Sequence, residues 1–477
     1  MQRTRFALAA ALATLVLLVP TVQAGNPFAG ATTTAGGYHT WDSDLVDVEK
    51  VSQTGSGVYV AVLDEGLVPN WSDYFPQARV ATQYGKGFYQ PVYFKSHGAD
   101  PCALEVEAGQ LRDDNFIGSR GSSHGTHVAS TIIGYSYRSN ADLAQGFPLP
   151  PIQVRGIAPD ATIIPVKVLA DYQVPALPKC PNPALQKQGL VTFGTDEMVA
   201  AGINWVTSLK QGPLAGHPVV INMSLGGSEL TAGEQSAIDN AIAAGVVVVA
   251  AAGNEGDAGM AFPGAYAPVI SAGSMGWTGE WLDQETESGG PANGFRYRMW
   301  WLQNVQGNGA GTAGVLEPPL FADSGNVSDE VTTGLVYVSD FSSRQLTGQD
   351  LDVVAPGSWV RGPFPGLPGY NHLPWWSHGI GDLVGHNSGN FFYVGGTSMA
   401  SPHVASVAAL MLQKNPSLTA GQIESILESS ALPLGPGTRQ VWDPFNASGP
   451  NFYPISWGAN ATGSGVLQAD TAIAATP

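Results

Sequence analysis

Four short segments of the chain carry side chains able to move an acyl group. Val60-Ala61-Val62-Leu63-Asp64-Glu65-Gly66 places a carboxylate directly after an apolar run. Ser123-His124-Gly125-Thr126-His127-Val128-Ala129 places an imidazole where a helix should begin. Ala250-Ala251-Ala252-Gly253-Asn254-Glu255-Gly256 ends a second apolar run in a carboxamide between glycines. Gly395-Gly396-Thr397-Ser398-Met399-Ala400-Ser401-Pro402-His403 sets a hydroxyl in the opening turn of a long helical stretch. A serine hydroxyl is a poor nucleophile until a neighbouring imidazole takes its proton. A buried carboxylate must hold that imidazole in one tautomer and stabilise its charged form. Donors must then meet the negative oxygen of the tetrahedral intermediate. Asp64, His124, Ser398 and Asn254 supply one of each group.

Such groups need rigid supports. Val58 to Leu63, Ala161 to Leu169, Val219 to Ser224, Val246 to Ala251 and Val269 to Ala272 are short and rich in β-branched residues, as buried strands are. Between and after them lie helical patterns at Gly125 to Ile133, Thr195 to Leu209, Gly233 to Ala244, Thr397 to Lys414 and Thr419 to Ser430. Gly245 stands where a helix-ending glycine is expected, and Thr419 with Gln422 matches a capping box. This alternation predicts an α/β fold, a mostly parallel sheet with helices on both faces. The candidate groups then fall at strand ends and helix starts, along the open edge of the sheet. A serine at a helix N-terminus also sits among exposed N–H groups that favour developing negative charge. Residues 85–122, 277–334 and 358–392 show no sustained period and read as surface insertions.

Taken together, the four segments resemble the subtilisin-like serine proteases, with the chain order Asp, His, Asn, Ser kept. The resemblance implies that Asp64 orients the base, His124 serves as base and then acid, and Ser398 is the nucleophile. Asn254 and the Ser398 N–H would form the oxyanion hole. Val220 to Gly227 is similar to the strand that pairs with substrate. Ser224, Leu225, Gly226 and Gly227 would then line one wall of the first pocket, with Ala252 and Gly253 opposite. Gly156 to Ala161, Phe262 to Tyr266, Leu351 to Gly357 and Gly463 to Ala472 are also similar to family segments, so the likeness spans roughly residues 40 to 475. It implies the three-layer subtilisin fold, polypeptide substrates and no cofactor for the chemistry, and it allows structural calcium. Asp73 matches one calcium carboxylate, whereas the loop from Tyr135 to Val154 does not match its partner, and no ligand set follows.

Departures also stand out. Glu65 follows the aspartate where the family often has Thr or Ser; its charge could act on the histidine or on substrate, although a solvated side chain is the expectation. The stretch from Asp64 to His124 is long, and the Asn254-to-Phe262 loop is short enough to alter the pocket floor, through Glu255 or Met260. About forty residues precede Asp64 after the leader, too few for the folding prodomain that many relatives carry.

The remaining features concern the setting. Arg3, Arg5, the apolar Phe6 to Pro20 and the small residues of Val22-Gln23-Ala24 read as a signal peptide cut after Ala24. That leaves residues 25–477 as one peptidase domain, exported, with no membrane anchor, and expected to act as a monomer. The net charge of −18 disfavours nucleic-acid backbones as partners. In an exported chain Cys102 and Cys180 are expected to pair, which would contribute on the order of 4 kcal/mol. The glycine-rich stretch with His372, His378 and His386 lacks metal-ligand spacing on a helix, and His97-Gly98 lacks the continuation of the His124 motif. Two rival functions remain. One is a catalytically silent binding protein on the same fold. The other is an α/β-hydrolase esterase, which the order of His124 before Ser398 and Ala400 in place of glycine exclude.

Overall fold

The computed structural model describes residues 31–96, 102, 104–118, 123–137, 152–182, 186–187, 189–278, 281–282, 296–297, 333–366, 373–377, 390–442 and 452–477, residue 38 excepted. The expected leader and its cleavage point lie outside these residues, as do His97, His372, His378 and His386.

Each of the five expected strands forms, and all five enter one nine-stranded sheet. Across the sheet run Val336–Val338, Ile270–Trp277, Val246–Ala251, Val219–Met223, Tyr59–Asp64, Thr162–Lys167, Lys86–Tyr89 and Arg112–Asp114, while Val353–Pro356 also pairs with Ile270–Trp277. All pairings are parallel except the two outermost, made by Val336–Val338 and Arg112–Asp114. Side chains alternate across each strand, so successive residues feed different cores. Val60 and Val62 pack with the helices His124–Ile133 and Thr397–Lys414. Ala61 and Leu63 pack with Asp196–Gln211 and Ala232–Ala243 on the other face. The result is an α/β fold of three layers.

Tyr59–Asp64 is the strand at which the winding reverses. Thr162–Lys167 joins one side of it, and the next sheet strand in sequence, Val219–Met223, joins the other. Connections leave in opposite directions at such a point and open a crevice beyond the strand ends. Asp64 is the last residue of this strand, and Ser224 directly follows its neighbour.

Two of the expected insertions depart from a purely superficial role. Within 85–122, Lys86–Tyr89 and Arg112–Asp114 extend the main sheet, and Val92–Ser96 pairs with Leu104–Ala108. Within 358–392, Val360–Pro363, Trp375–Ser377 and the start of Phe391–Gly395 make a small sheet whose Phe391 and Phe392 are buried, as is the adjoining Trp359. These strands are three to five residues long. Pieces so short leave no periodic trace in sequence. Cys102 and Cys180 form a disulfide, tying the first of these stretches to the segment before the helix Asp196–Gln211. Among the described residues, no helix is long and apolar enough to cross a membrane.

Candidate active site

His124 is the first residue of its helix, and Nδ1 lies 2.9 Å from each carboxylate oxygen of Asp64. Asp64 is fully buried, and its Oδ1 also accepts the Glu65 N–H at 2.7 Å. A carboxylate only accepts, so Nδ1 carries the hydrogen, and Nε2 is the basic nitrogen of the neutral ring. The approach needs a glycine: a Cβ on Gly125 would lie 2.5 Å from the Gly66 carbonyl and 3.0 Å from the Asp64 Cβ.

Ser398 is the second residue of the helix Thr397–Lys414, 7% exposed, with Oγ donating to the Ser224 carbonyl at 3.2 Å. Pro402 sits four residues on. Proline has no N–H for the carbonyl one turn back, which leaves the Ser398 carbonyl without its helical donor. The Ser224 hydroxyl fills that role at 2.7 Å. It is in turn held by Ser401 Oγ at 2.8 Å and Asn222 Nδ2 at 3.0 Å. The segment after Val219–Met223 is thereby bonded to the turn that carries the hydroxyl.

The Asn254 carboxamide has a fixed sense. Its Oδ1 accepts the Thr397 N–H at 2.9 Å and the Thr397 hydroxyl at 3.0 Å. An N–H can only donate, so the oxygen must face Thr397, and Nδ2 is the end left for the cleft. Gly253, at φ +104°, turns the chain between the strand end and this carboxamide.

His124, Ser398, Asn254, Ser224, Leu225, Gly226 and Gly227 line one cleft of about 390 Å³. Ala252 and Gly253, expected on its opposite wall, do not line it. The Ala252 N–H and carbonyl bond to Ala272 and Ala261, and those of Gly253 bond to Thr397 Oγ1 and Ser343. With all four backbone groups in use, this pair supports the wall from behind, and Asn254 and Glu255 supply its surface. The Glu255 carboxylate accepts from Ser343 Oγ at 3.0 Å, while Met260 is buried outside the cleft lining.

Glu65 is the clearest correction. It is 1% exposed rather than solvated, and its Oε2 accepts the His124 backbone N–H at 3.2 Å. The first N–H groups of a helix have no partner within the helix, and an acidic side chain there meets both an orphan donor and the positive end of the dipole. Sequence inspection also passed over Asp196, Glu229 and Glu234, which line the same cleft. The one available signal was Thr231-x-x-Glu234, the same pattern read as a helix cap at Thr419.

His127, the second histidine of the motif, is fully buried with Nε2 3.1 Å from the Val360 carbonyl. Burial first, then the neighbouring His124, pushes it down to about 3, so it is neutral and structural. Asp73 accepts from Asn70 Nδ2. Among the described residues, three carboxylates converge closely enough to share a cation: Asp350, Asp352 and Glu424. Asp352 Oδ2 takes the Ser271 N–H and hydroxyl, each at 2.7 Å, and the Glu424 carboxyl hydrogen-bonds the same carboxylate. An oxygen-only set of three converging carboxylates fits a hard cation such as calcium.

Comparison with known proteins decides the family. The family model described as "Subtilase family" matches residues 55–452. The chain belongs to that family. It is similar to subtilisin E of Bacillus subtilis, 27% identical over 386 residues, covering 80% of this chain and 62% of that protein's length. It is equally similar to a subtilisin of Bacillus pumilus, 27% identical over 386 residues, covering 80% and 86% of the two chains. Among solved structures, fervidolysin from Fervidobacterium pennivorans has a TM-score of 0.49 at 24% identity, over 92% of this chain and 46% of that one.

Proposed function

We propose that this subtilase is a secreted serine endopeptidase that cuts extended polypeptide segments through an acyl-enzyme on Ser398. One observation carries the reading: a histidine held by a buried carboxylate shares a cleft with a helix-start serine and a carboxamide whose NH2 faces that cleft. In the proposed cycle the Ser398 hydroxyl turns from the Ser224 carbonyl to Nε2 of His124 and attacks the substrate carbonyl carbon. His124 takes the proton, and Asp64 steadies the imidazolium. Asn254 Nδ2 and the Ser398 N–H meet the oxyanion. His124 then protonates the leaving amine as the C–N bond breaks. Water, deprotonated by the same ring, hydrolyses the ester and restores the hydroxyl. Substrate is proposed to lie as an added strand along Ser224 to Gly227.

The remaining parts of this reading concern the setting. The leader is cut after Ala24, residues 25–477 act as one exported, monomeric peptidase domain, and neither nucleic acid nor membrane is a partner. The chemistry needs no cofactor. Calcium, if held, belongs at Asp350, Asp352 and Glu424, where it would neutralise crowded carboxylates and support the fold.

A silent binding protein would have no use for a tautomer-fixed histidine beside an oriented carboxamide. A fluorophosphonate probe tests the choice: wild type should be labelled and hydrolyse casein, and Ser398→Ala should do neither while keeping its melting temperature. Casein hydrolysis persisting in Ser398→Ala would refute the nucleophile, and an unlabelled, inert wild type would favour the binding protein.

A further inference from the structure

We propose that Glu234, with Asp196 and Glu229 at its rim, forms a cation-accepting subsite in the cleft, selecting polypeptides with lysine or arginine at one fixed offset from the bond cut. This inference rests on the peptidase reading and names a substrate class for the same site.

The acidic residues of the cleft differ in what they do. Glu65 and Glu255 are committed, one to the His124 N–H and the other to Ser343. Asp196 and Glu229 are exposed. Glu234 alone combines burial, at 5% exposed, with a carboxylate for which the structure gives no hydrogen-bond partner. No lysine or arginine lines the cleft among the described residues. Burial first, then the charge of Asp196, pushes Glu234 up to about 7. Such a group gains most from a cation brought to it.

Two blander roles for Glu234 can be checked. The first is a helix cap, since Glu234 stands three residues after Thr231, whose hydroxyl accepts the Glu234 N–H at 3.3 Å. At Thr419 the same pattern closes reciprocally, with Gln422 Oε1 accepting the Thr419 N–H at 3.0 Å. At Thr231 that return bond is absent, so the Glu234 carboxylate is not spent on its own cap. The second is a metal site. Glu234, Asp196 and Glu229 do not converge to within the 4.8 Å that the Asp350 group meets. Carboxylates spread along a cleft suit a long organic cation better than a point ion. The walls agree: Leu169, Phe193, Val199 and Leu225 supply apolar surface for the methylenes of a lysine or arginine stem. A cationic head would then reach Glu234, while the acidic rim favours its approach.

Cleavage of a denatured protein library by the full chain should enrich Lys and Arg at one offset from the cut. Peptides carrying lysine or acetyl-lysine at that offset then measure the selection. The kcat/KM ratio should be on the order of 10- to 100-fold in wild type and fall towards one in Glu234→Gln. Because both peptides meet the same enzyme, partial misfolding and any pH dependence of the chemical step cancel in the ratio. A second arm needs no variant: the wild-type ratio should rise from pH 5 to pH 8 as Glu234 ionises. Asp196, Glu229, Glu65 and Glu255 are the other acidic groups facing the cleft. Active enzyme with no enriched offset, or a ratio unchanged in Glu234→Gln, would overturn the inference. A chain that neither cuts nor takes up the fluorophosphonate would sink the peptidase reading, and this inference with it.

Discussion

Two polar clusters at the sheet differ in the kind of atom they present. At the lip beside Ser398 the acceptors that fix the four groups have donors: Asp64 is bonded to His124 and Glu65, Asn254 Oδ1 to Thr397, and the Ser398 carbonyl to Ser224. The atom of this set turned to the cleft is a donor, Asn254 Nδ2. Around Asp352 the position is reversed. Ser271 satisfies one oxygen of Asp352, and the rest of the cluster is acceptor facing acceptor, with Asp350 and Glu424 crowded against it. A polar atom gains most from a partner of opposite sign, so the sign of the atoms presented indicates what each place can receive. The lip suits an anion that exists briefly during reaction, and the cluster suits a resident cation.

The sharpest way to break this comparison is to remove the donor at the lip. Asn254→Ala deletes a hydrogen bond needed only once the oxyanion forms, so kcat should fall on the order of 10² to 10³ with KM little changed. Steady-state kinetics on an extended peptide read the split. A matching rise in KM would make Asn254 a ground-state contact, and unchanged turnover would remove it from the oxyanion hole.

The parts legible in sequence are those that a period or a short motif encodes. The apolar, β-branched run ending at Leu63 forms a strand buried on both faces, as its composition implies, and the helix Thr397–Lys414 begins and ends where its pattern does. Asp64, His124, Asn254 and Ser398 gather because strand ends and helix starts at a winding reversal face one crevice. What sequence left dark are bonds chosen in three dimensions. Glu65 looks like a surface residue until the N-terminus of the His124 helix is set against it. Ala252 and Gly253 look like pocket lining until Thr397 and Ser343 take up Gly253's backbone groups. Thr231-x-x-Glu234 and Thr419-x-x-Gln422 are alike in sequence, and only one closes as a box.

A smaller effect should come from the cluster of acceptors. Burial and mutual repulsion hold Asp352 and Glu424 above the ordinary carboxylate range, so the folded chain retains protons that the unfolded chain has lost. Without a cation, their contribution to stability is therefore greatest in acid. It is lost as pH rises from the ordinary carboxylate range, where the unfolded chain ionises, up to the folded values of about 6 for Asp352 and about 8 for Glu424. Calcium binds the ionised forms, so it should restore stability chiefly at the upper end of that window. Melting curves on Ser398→Ala, which avoids autolysis, should show calcium raising the transition by about 2–4 °C per kcal/mol of binding, more at pH 8 than at pH 5. Glu424→Gln removes one charge from the repelling set, and should flatten the pH dependence and shrink the calcium response together. A calcium effect of equal size at both pH values and in both proteins would place the cation elsewhere. The Asp352 cluster would then be only a set of crowded acids.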